Sequence, residues 1–244
     1  MTKTIKSGLS PVAAAMASVL MLSACSQPAN TTSENTALKQ IADKEQTLLV
    51  DESRLSIYHP VDLTANLDHL SSNQHKMLSL LIDASKIMDD LFWQQAFFGS
   101  KASFLSSIES ETVRHFASIN YGPWDRLNGD TPFISGFDTK YAGAQFYPYD
   151  MEKAEFATAE FADKQGLYSM VKRDEAGKLY SQPYSEAFKS ELMEVSELLL
   201  QASELAEDAS FKAYLTLRAE ALLTDDYLAS DMAWMDMKTN PIEL

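Results

Sequence analysis

The sequence predicts a mainly α chain of the α+β class, a helical lobe with an irregular aromatic mid-segment and one short β-hairpin. Three observations carry this. Two long runs, over residues 72–92 and 185–205, place apolar side chains at three- and four-residue spacings, the period of an α-helix. Between them, residues 120–149 concentrate glycine, proline and aromatic residues. After that segment, Asp174-Glu175-Ala176-Gly177 separates two short strand-like runs, as a hairpin turn does.

The N-terminus reads as an export signal. Lys3 and Lys6 are followed by an apolar stretch over residues 9–22, too short to span a bilayer as a mature helix. Leu22-Ser23-Ala24-Cys25 closes it in the lipobox pattern of bacterial lipoproteins, and Cys25 is the only cysteine. Residues 1–24 are therefore expected to be a lipoprotein signal peptide, with a lipid on Cys25 anchoring the chain to a membrane. Ser26 stands where an inner-membrane retention signal usually places Asp, so the expected address is the outer membrane, periplasmic face. With Cys25 lipidated, no thiol remains for disulfides or thiolate metal sites. The net charge of −15 argues against nucleic acid and anionic lipid headgroups as partners. Residues 25–42 are polar and poor in aromatics and read as a flexible tether.

Residues 43–244 form the expected lobe. Ser71-Ser72-Asn73-Gln74 is a capping-box signature. The helix it opens carries Met77, Leu80, Leu81, Ala84, Ile87, Met88, Leu91 and Phe92 on one broad face. Gly99 and Ser100 punctuate, and residues 102–119 read as one or two shorter helices. In the middle, residues 120–149 are irregular but too aromatic for a free linker. Asp150 is the expected cap of a short helix reaching residue 161, and residues 167–173 and 178–182 are the hairpin strands. Residues 185–205 make the clearest amphipath, with Phe188, Leu192, Val195, Leu199, Ala202 and Leu205 facing in. Glu186, Ser190, Glu194, Glu197, Gln201 and Glu204 face out. Residues 211–222 form a further helix, and Thr224 is the expected cap of a last one, with Asp225 and Asp226 in its first turn.

No constellation for catalysis assembles from these residues alone. His59, His69, His75 and His115 make no i, i+4 pair, and none opens a His-Glu-x-x-His helix. No Gly-x-Ser-x-Gly elbow, phosphate-binding loop or dinucleotide fingerprint is present. Asp225, Asp226, Asp231 and Asp236 are oxygen donors for a hard cation, but their spacing fits no EF-hand loop, and helix-start acids on a solvated face are the reading that outweighs it. Tyr121, Trp124, Tyr147 and Trp234, with Asp125 and Asp231, are the candidates to line a substrate cleft; aromatic residues of this kind also serve as core.

Four stretches resemble a known family. They are Met88-Asp89-Asp90-Leu91-Phe92-Trp93-Gln94-Gln95, Ile119-Asn120-Tyr121-Gly122-Pro123-Trp124-Asp125-Arg126-Leu127, Phe146-Tyr147-Pro148-Tyr149-Asp150-Met151, and Leu222-Leu223-Thr224-Asp225-Asp226-Tyr227 through Trp234-Met235-Asp236-Met237. In order and content they look like bacterial zinc hydrolases of the dipeptidyl-peptidase III-like metallopeptidase family. The resemblance implies a zinc-dependent peptidase acting on a peptide substrate, with zinc held by a His-Glu-x-x-His helix and a more distant glutamate. In that family these groups lie downstream of the segment similar to residues 222–237, and Pro241-Ile242-Glu243-Leu244 stands just before the first of the downstream motifs. On this reading the chain is the N-terminal part of such an enzyme, forming one wall of the substrate cleft. It holds no metal ligands or cofactor of its own and is inactive alone, the zinc belonging to the full-length family. The competing expectation is a complete, non-enzymatic periplasmic lipoprotein that binds a ligand or protein partner through its aromatic mid-segment. Against it stand Leu222, Leu223, Leu228, Met232, Trp234, Met235 and Met237, much apolar content near the end of the chain.

Overall fold

The computed structural model describes residues 47–242, so the expected signal peptide, Cys25 and the tether lie outside the described residues. In chain order the helices are α1 (Ser72–Ala96), α2 (Lys101–Ser107), α3 (Glu111–Asn120), α4 (Lys153–Thr158), α5 (Tyr184–Ala187), α6 (Lys189–Leu205), α7 (Ala209–Thr224) and α8 (Leu228–Asp236). A first antiparallel pair joins β1 (Trp124–Asp125) to β2 (Thr131–Pro132), and a second joins β3 (Ser169–Arg173) to β4 (Leu179–Pro183). The mainly α lobe with a short hairpin is the fold that the periodicity predicts.

The elements begin and end for local reasons. Ser71 caps α1 with the full capping box, its hydroxyl accepting from the Gln74 amide while the Gln74 side chain accepts from the Ser71 amide. Ser100 and Ser110 cap α2 and α3 in the same way, through their hydroxyls. The β3–β4 turn is closed by the Asp174 carboxylate, which accepts from the amides of Ala176 and Lys178. Gly177 takes the left-handed conformation that this loop requires, at φ 80°.

Two apolar clusters share helix α1. Over most of its length, with Met77, Leu81, Ala84 and Leu91 buried, it packs on α6. Helix α6 lies between α1 and α7, burying Leu192, Val195, Leu199 and Ala202. Its acids at 194, 197 and 204, with Glu186 on α5, are exposed, as the amphipathic pattern predicts. The Ser196 hydroxyl donates to the Ala219 carbonyl across the α6–α7 contact, satisfying a buried polar group. The other end of α1 enters a second, aromatic cluster. Trp93, Phe97, Phe104, Phe116, Trp124 and Phe133 pack there with Ile108, Val113, Ala117 and Ile134.

Residues 47–58 strap this second cluster. Leu48 bridges Ile134 in antiparallel fashion, and the Leu49 amide donates to the Phe133 carbonyl. Leu48, Val50, Leu55 and Tyr58 pack on the cluster from that side. The irregular segment 120–149 is thus an ordered part of the core, with Pro123, Trp124, Phe133 and Ile134 buried.

Several boundaries differ from the sequence expectation. Residues 185–205 are not one helix: the backbone turns at Phe188 (φ −119°, ψ 31°), splitting α5 from α6, although the Phe188 ring faces the core as the period predicts. Thr224 does not cap the last helix. Helix α7 runs through it and ends at Asp225 in the left-handed conformation, so α8 starts at Leu228 with no side-chain cap. Asp150 caps nothing either; α4 spans only Lys153–Thr158, and Asp150 instead pairs with Arg173. Arg173 also forks onto both oxygens of Glu155, which ties α4 to the β3–β4 hairpin and holds the Glu155 carboxyl below its ordinary range. Met88 and Phe92, expected on the apolar face of α1, are 41% and 42% exposed, because the core covers a narrower arc than the sequence pattern offers.

One cap sets an acid limit. The Asp208 carboxylate accepts from the Ser210 hydroxyl, the Phe211 and Ser210 amides and the Thr239 hydroxyl, which fastens residue 239 to the start of α7. These bonds, that from Ser210 foremost, lower its pKa from 3.8 to about 2. A depressed carboxylate stabilises the fold fully above its unfolded value, and that contribution is lost as pH falls through the folded one. Thermal melts of Asp208→Ala should lie below the parent above pH 4 and converge with it near pH 2; a gap that persists at pH 2 overturns the assignment.

Candidate functional site

Tyr121, Trp124 and Asp125 gather at the end of α3, where the chain leaves the helix through a left-handed Tyr121 (φ 54°). Trp124 is buried, with its indole N–H donating to the Asp138 carbonyl. Asp125 is inaccessible; its carboxylate accepts from Nε and Nη2 of Arg54 at 2.5 and 3.2 Å and from the Leu127 amide. Beside it the buried Asn120 carbonyl oxygen accepts from the Tyr58 hydroxyl and the Arg126 amide. These bonds close the strap over the aromatic cluster, so Trp124 and Asp125 present no side-chain surface to solvent.

Tyr121 is half-buried and turned the other way. Its hydroxyl donates to Asp89 at 2.5 Å, which with burial raises its pKa. The Phe92 ring meets it edge-on at 4.6 Å, and the Arg126 guanidinium lies over its face. Lys101 spans Asp89 and Asp90 across the same surface; burial opposes its charge, but the two carboxylates outweigh that and raise its pKa. Two of the stretches that carry the family resemblance, residues 88–95 and 119–127, meet here.

Tyr147, Asp231 and Trp234 belong to a different neighbourhood, where the hairpin, α5 and the α7–α8 joint converge. Tyr147 is 44% exposed, and its ring covers Gly143, whose φ of 81° leaves no room for a side chain. Both oxygens of Asp225 accept from the Ser185 amide at the start of α5. Tyr184 is raised in pKa by burial first, then by Tyr147 and Asp225. Tyr227 lies 4.6 Å from Tyr168 with the rings tilted by 38°, and it is pushed up to about 12 by burial and by Asp225. Arg218 links the set to α8. Its guanidinium lies 5.4 Å from each of the Tyr214 and Tyr227 rings and pairs with Asp231 at 2.6 Å. Arg218 thus ties Tyr214 and Tyr227 to Asp231, while Trp234 stands one turn beyond Asp231 and is half exposed. Among the described residues, no hydrogen bond, ion pair or ring contact joins this set to Tyr121, Trp124 or Asp125.

Sequence reasoning misses Arg218, because a lone arginine in an apolar helical run reads as an ordinary surface cation. Arg218→Ala removes two desolvated cation–π contacts and the Asp231 pair and should cost about 2 kcal/mol. Hydrogen exchange should quicken in α8 and not in α1; uniform exchange in the variant would refute this role.

The described residues do not fit a zinc site. No group of three or more His, Cys, Asp or Glu is placed to hold a metal ion among them, and the four histidines are all exposed and separate.

No family model matches the chain. A curated relative, Nudix hydrolase 3 from Arabidopsis thaliana, is 31% identical over 248 residues, 76% of this chain and 32% of that protein. Among solved structures, dipeptidyl-peptidase III from Caldithrix abyssi superposes with a TM-score of 0.72 at 33% identity, covering 78% of this chain and 38% of that one. The enzyme of the same name from Corallococcus sp. strain EGB gives 0.71 at 31%, covering 77% and 37%. The chain therefore has the fold of part of a peptidase of this kind, and it spans about a third of the length of the relatives it matches.

Proposed function

We propose that this chain is one part of a zinc-dependent, dipeptidyl-peptidase III-like hydrolase and forms one wall of its substrate cleft. The zinc ligands belong to further polypeptide. The observation that carries the reading is the match to two dipeptidyl-peptidase III structures at about a third identity over more than three quarters of this chain. Within the chain, the exposed Tyr147, Asp231 and Trp234 are the residues suited to contact a peptide: aromatic faces for its side chains and, at Asp231, a carboxylate held in place by Arg218. Tyr121 offers a second, separate contact beside Lys101. Buried Trp124 and Asp125 support the wall from behind.

Residues 47–242 purified alone are expected to hold no stoichiometric zinc by elemental analysis and to release no dipeptides from peptide substrates. Peptidase activity should accompany a longer polypeptide that contributes a His-Glu-x-x-His helix, and chelation should abolish it. One zinc per chain, lost together with hydrolysis on chelation of residues 47–242 alone, would falsify the assignment.

Anchoring is the second part of the reading, and the lipobox ending at Cys25 supports it. The lipid on Cys25 holds the protein to a membrane, most simply the outer membrane with the lobe in the periplasm. Cys25→Ala should abolish palmitate labelling and move the protein to the soluble fraction; unchanged labelling refutes the anchor.

A further inference from the structure

Helix α8 carries apolar residues on the side facing away from the protein. Leu228, Met232 and Met235 recur at four and three residues and so form one stripe along the helix. They are 70%, 52% and 66% exposed. The packed side is the opposite one, where Ser230 is fully buried and Ala233 and Met237 lean on the first cluster. A helix whose inner face already packs needs no second apolar file, and three large apolar side chains in water mark a surface made to be covered. Asp236 borders the stripe on one side and Asp231, paired with Arg218, on the other, and Asp226 stands at its N-terminal end, all exposed.

That border decides what can cover it. A second copy of this chain would bring the same acids against each other, in a protein of net charge −15, so self-pairing through the stripe is opposed. A membrane surface with anionic headgroups is opposed for the same reason. The complementary partner is an apolar face rimmed by lysine or arginine. The solved relatives hold the stretch matching this chain within polypeptides of which it is only 38% and 37%, so in them more than half of the chain lies outside it. We propose that the α8 stripe is the seam on which the remaining, zinc-bearing polypeptide of a dipeptidyl-peptidase III-like protein packs. The inference rests on the reading of the chain as part of such a peptidase.

Photo-crosslinking in cells that make the protein natively tests it. p-Benzoylphenylalanine replaces Met232 or Met235, and Met193 as control, since Met193 is equally exposed on α6, away from the stripe. The stripe positions should capture peptides of a polypeptide that carries a His-Glu-x-x-His helix, whether in the same chain or another, and the Met193 position should not. Asp236→Lys should lower that capture by about fivefold, as reversing a charge at the rim of an interface does. Capture of residues 47–242 of a second copy, capture of lipid, or equal capture at all three positions overturns the proposal. Chelator-sensitive dipeptide release, measured on the same cells, separates the two readings. If it is present while the stripe captures nothing, the seam falls and the peptidase reading stands. If the captured polypeptide has no zinc motif, both fall.

Discussion

Phe97→Ala is expected to lower the stability of the fold by about 4 kcal/mol, the range for truncating a buried phenylalanine. Phe97 follows the last turn of α1, is 1% exposed, and touches five other rings: Trp93, Phe98, Phe104, Trp124 and Phe137. Truncation removes the ring that α1, α2 and the segment after α3 all share. Neighbouring rings are rigid and cannot collapse into the space as aliphatic chains do, so the cavity persists. Lost edge and tilted contacts add to the transfer term, at about 0.5–1.5 kcal/mol per favourable pair. In a domain of this size the melting temperature should fall by on the order of 10 °C. Urea unfolding with an unchanged m-value is the check, and a loss below about 1 kcal/mol would mean that the second cluster is not close-packed.

Asp125→Ala should cost about 2 kcal/mol through a different mechanism. The carboxylate is sealed from solvent and holds Arg54, the Leu127 amide and, through them, the strap over residues 47–58. Removing one member of a fully buried pair costs about 3–5 kcal/mol; Arg54 is 31% exposed and can rehydrate, which discounts the figure. The loss should be local before it is global. Limited proteolysis should cut between residues 47 and 58 in the variant well before any cut in α6 or α7. Combining Arg54→Met with Asp125→Leu should recover part of the loss, because no unpaired charge remains. If the double variant is as unstable as the sum of the singles, the pair is not the clasp of the strap.

The legibility of this protein divides by range. Helices α1 and α6 were readable because each buries a stripe that repeats every three or four residues, and Ser71 with Gln74 announces the start of α1. The β3–β4 hairpin was readable because Asp174 and Gly177 are the residues that its loop geometry needs. The break at Phe188 was not readable: the residue fits the apolar period of an uninterrupted helix and is buried as that period predicts, so the pattern carries no sign of the turn. Asp225 shows the same limit. As a helix-start acid it is unexceptional by pattern, yet it ends α7 and caps α5, forty residues earlier in the chain.

The candidate site was legible in residue type and not in grouping. Tyr121, Trp124, Asp125, Tyr147, Asp231 and Trp234 share an aromatic or acidic character that suits a peptide cleft. Burial separates them: Trp124 and Asp125 face inward, while Tyr147, Asp231 and Trp234 meet solvent. Arg218 is missed because two of its partners, Tyr227 and Asp231, lie beyond the α7–α8 junction, and a helical period does not say which side chains meet across a junction.

By itself the sequence determined the periodic helices, the hairpin and the lack of a His-Glu-x-x-His motif in these residues, all of which depend on residues within a turn or two of each other. Tertiary structure alone decided which acids and aromatics are sealed in and which meet solvent. It also decided that α8 turns Leu228, Met232 and Met235 outward. The physical reason is that burial of a side chain depends on elements distant in sequence arriving at the same place, and a period says which residues share a face without saying what that face meets.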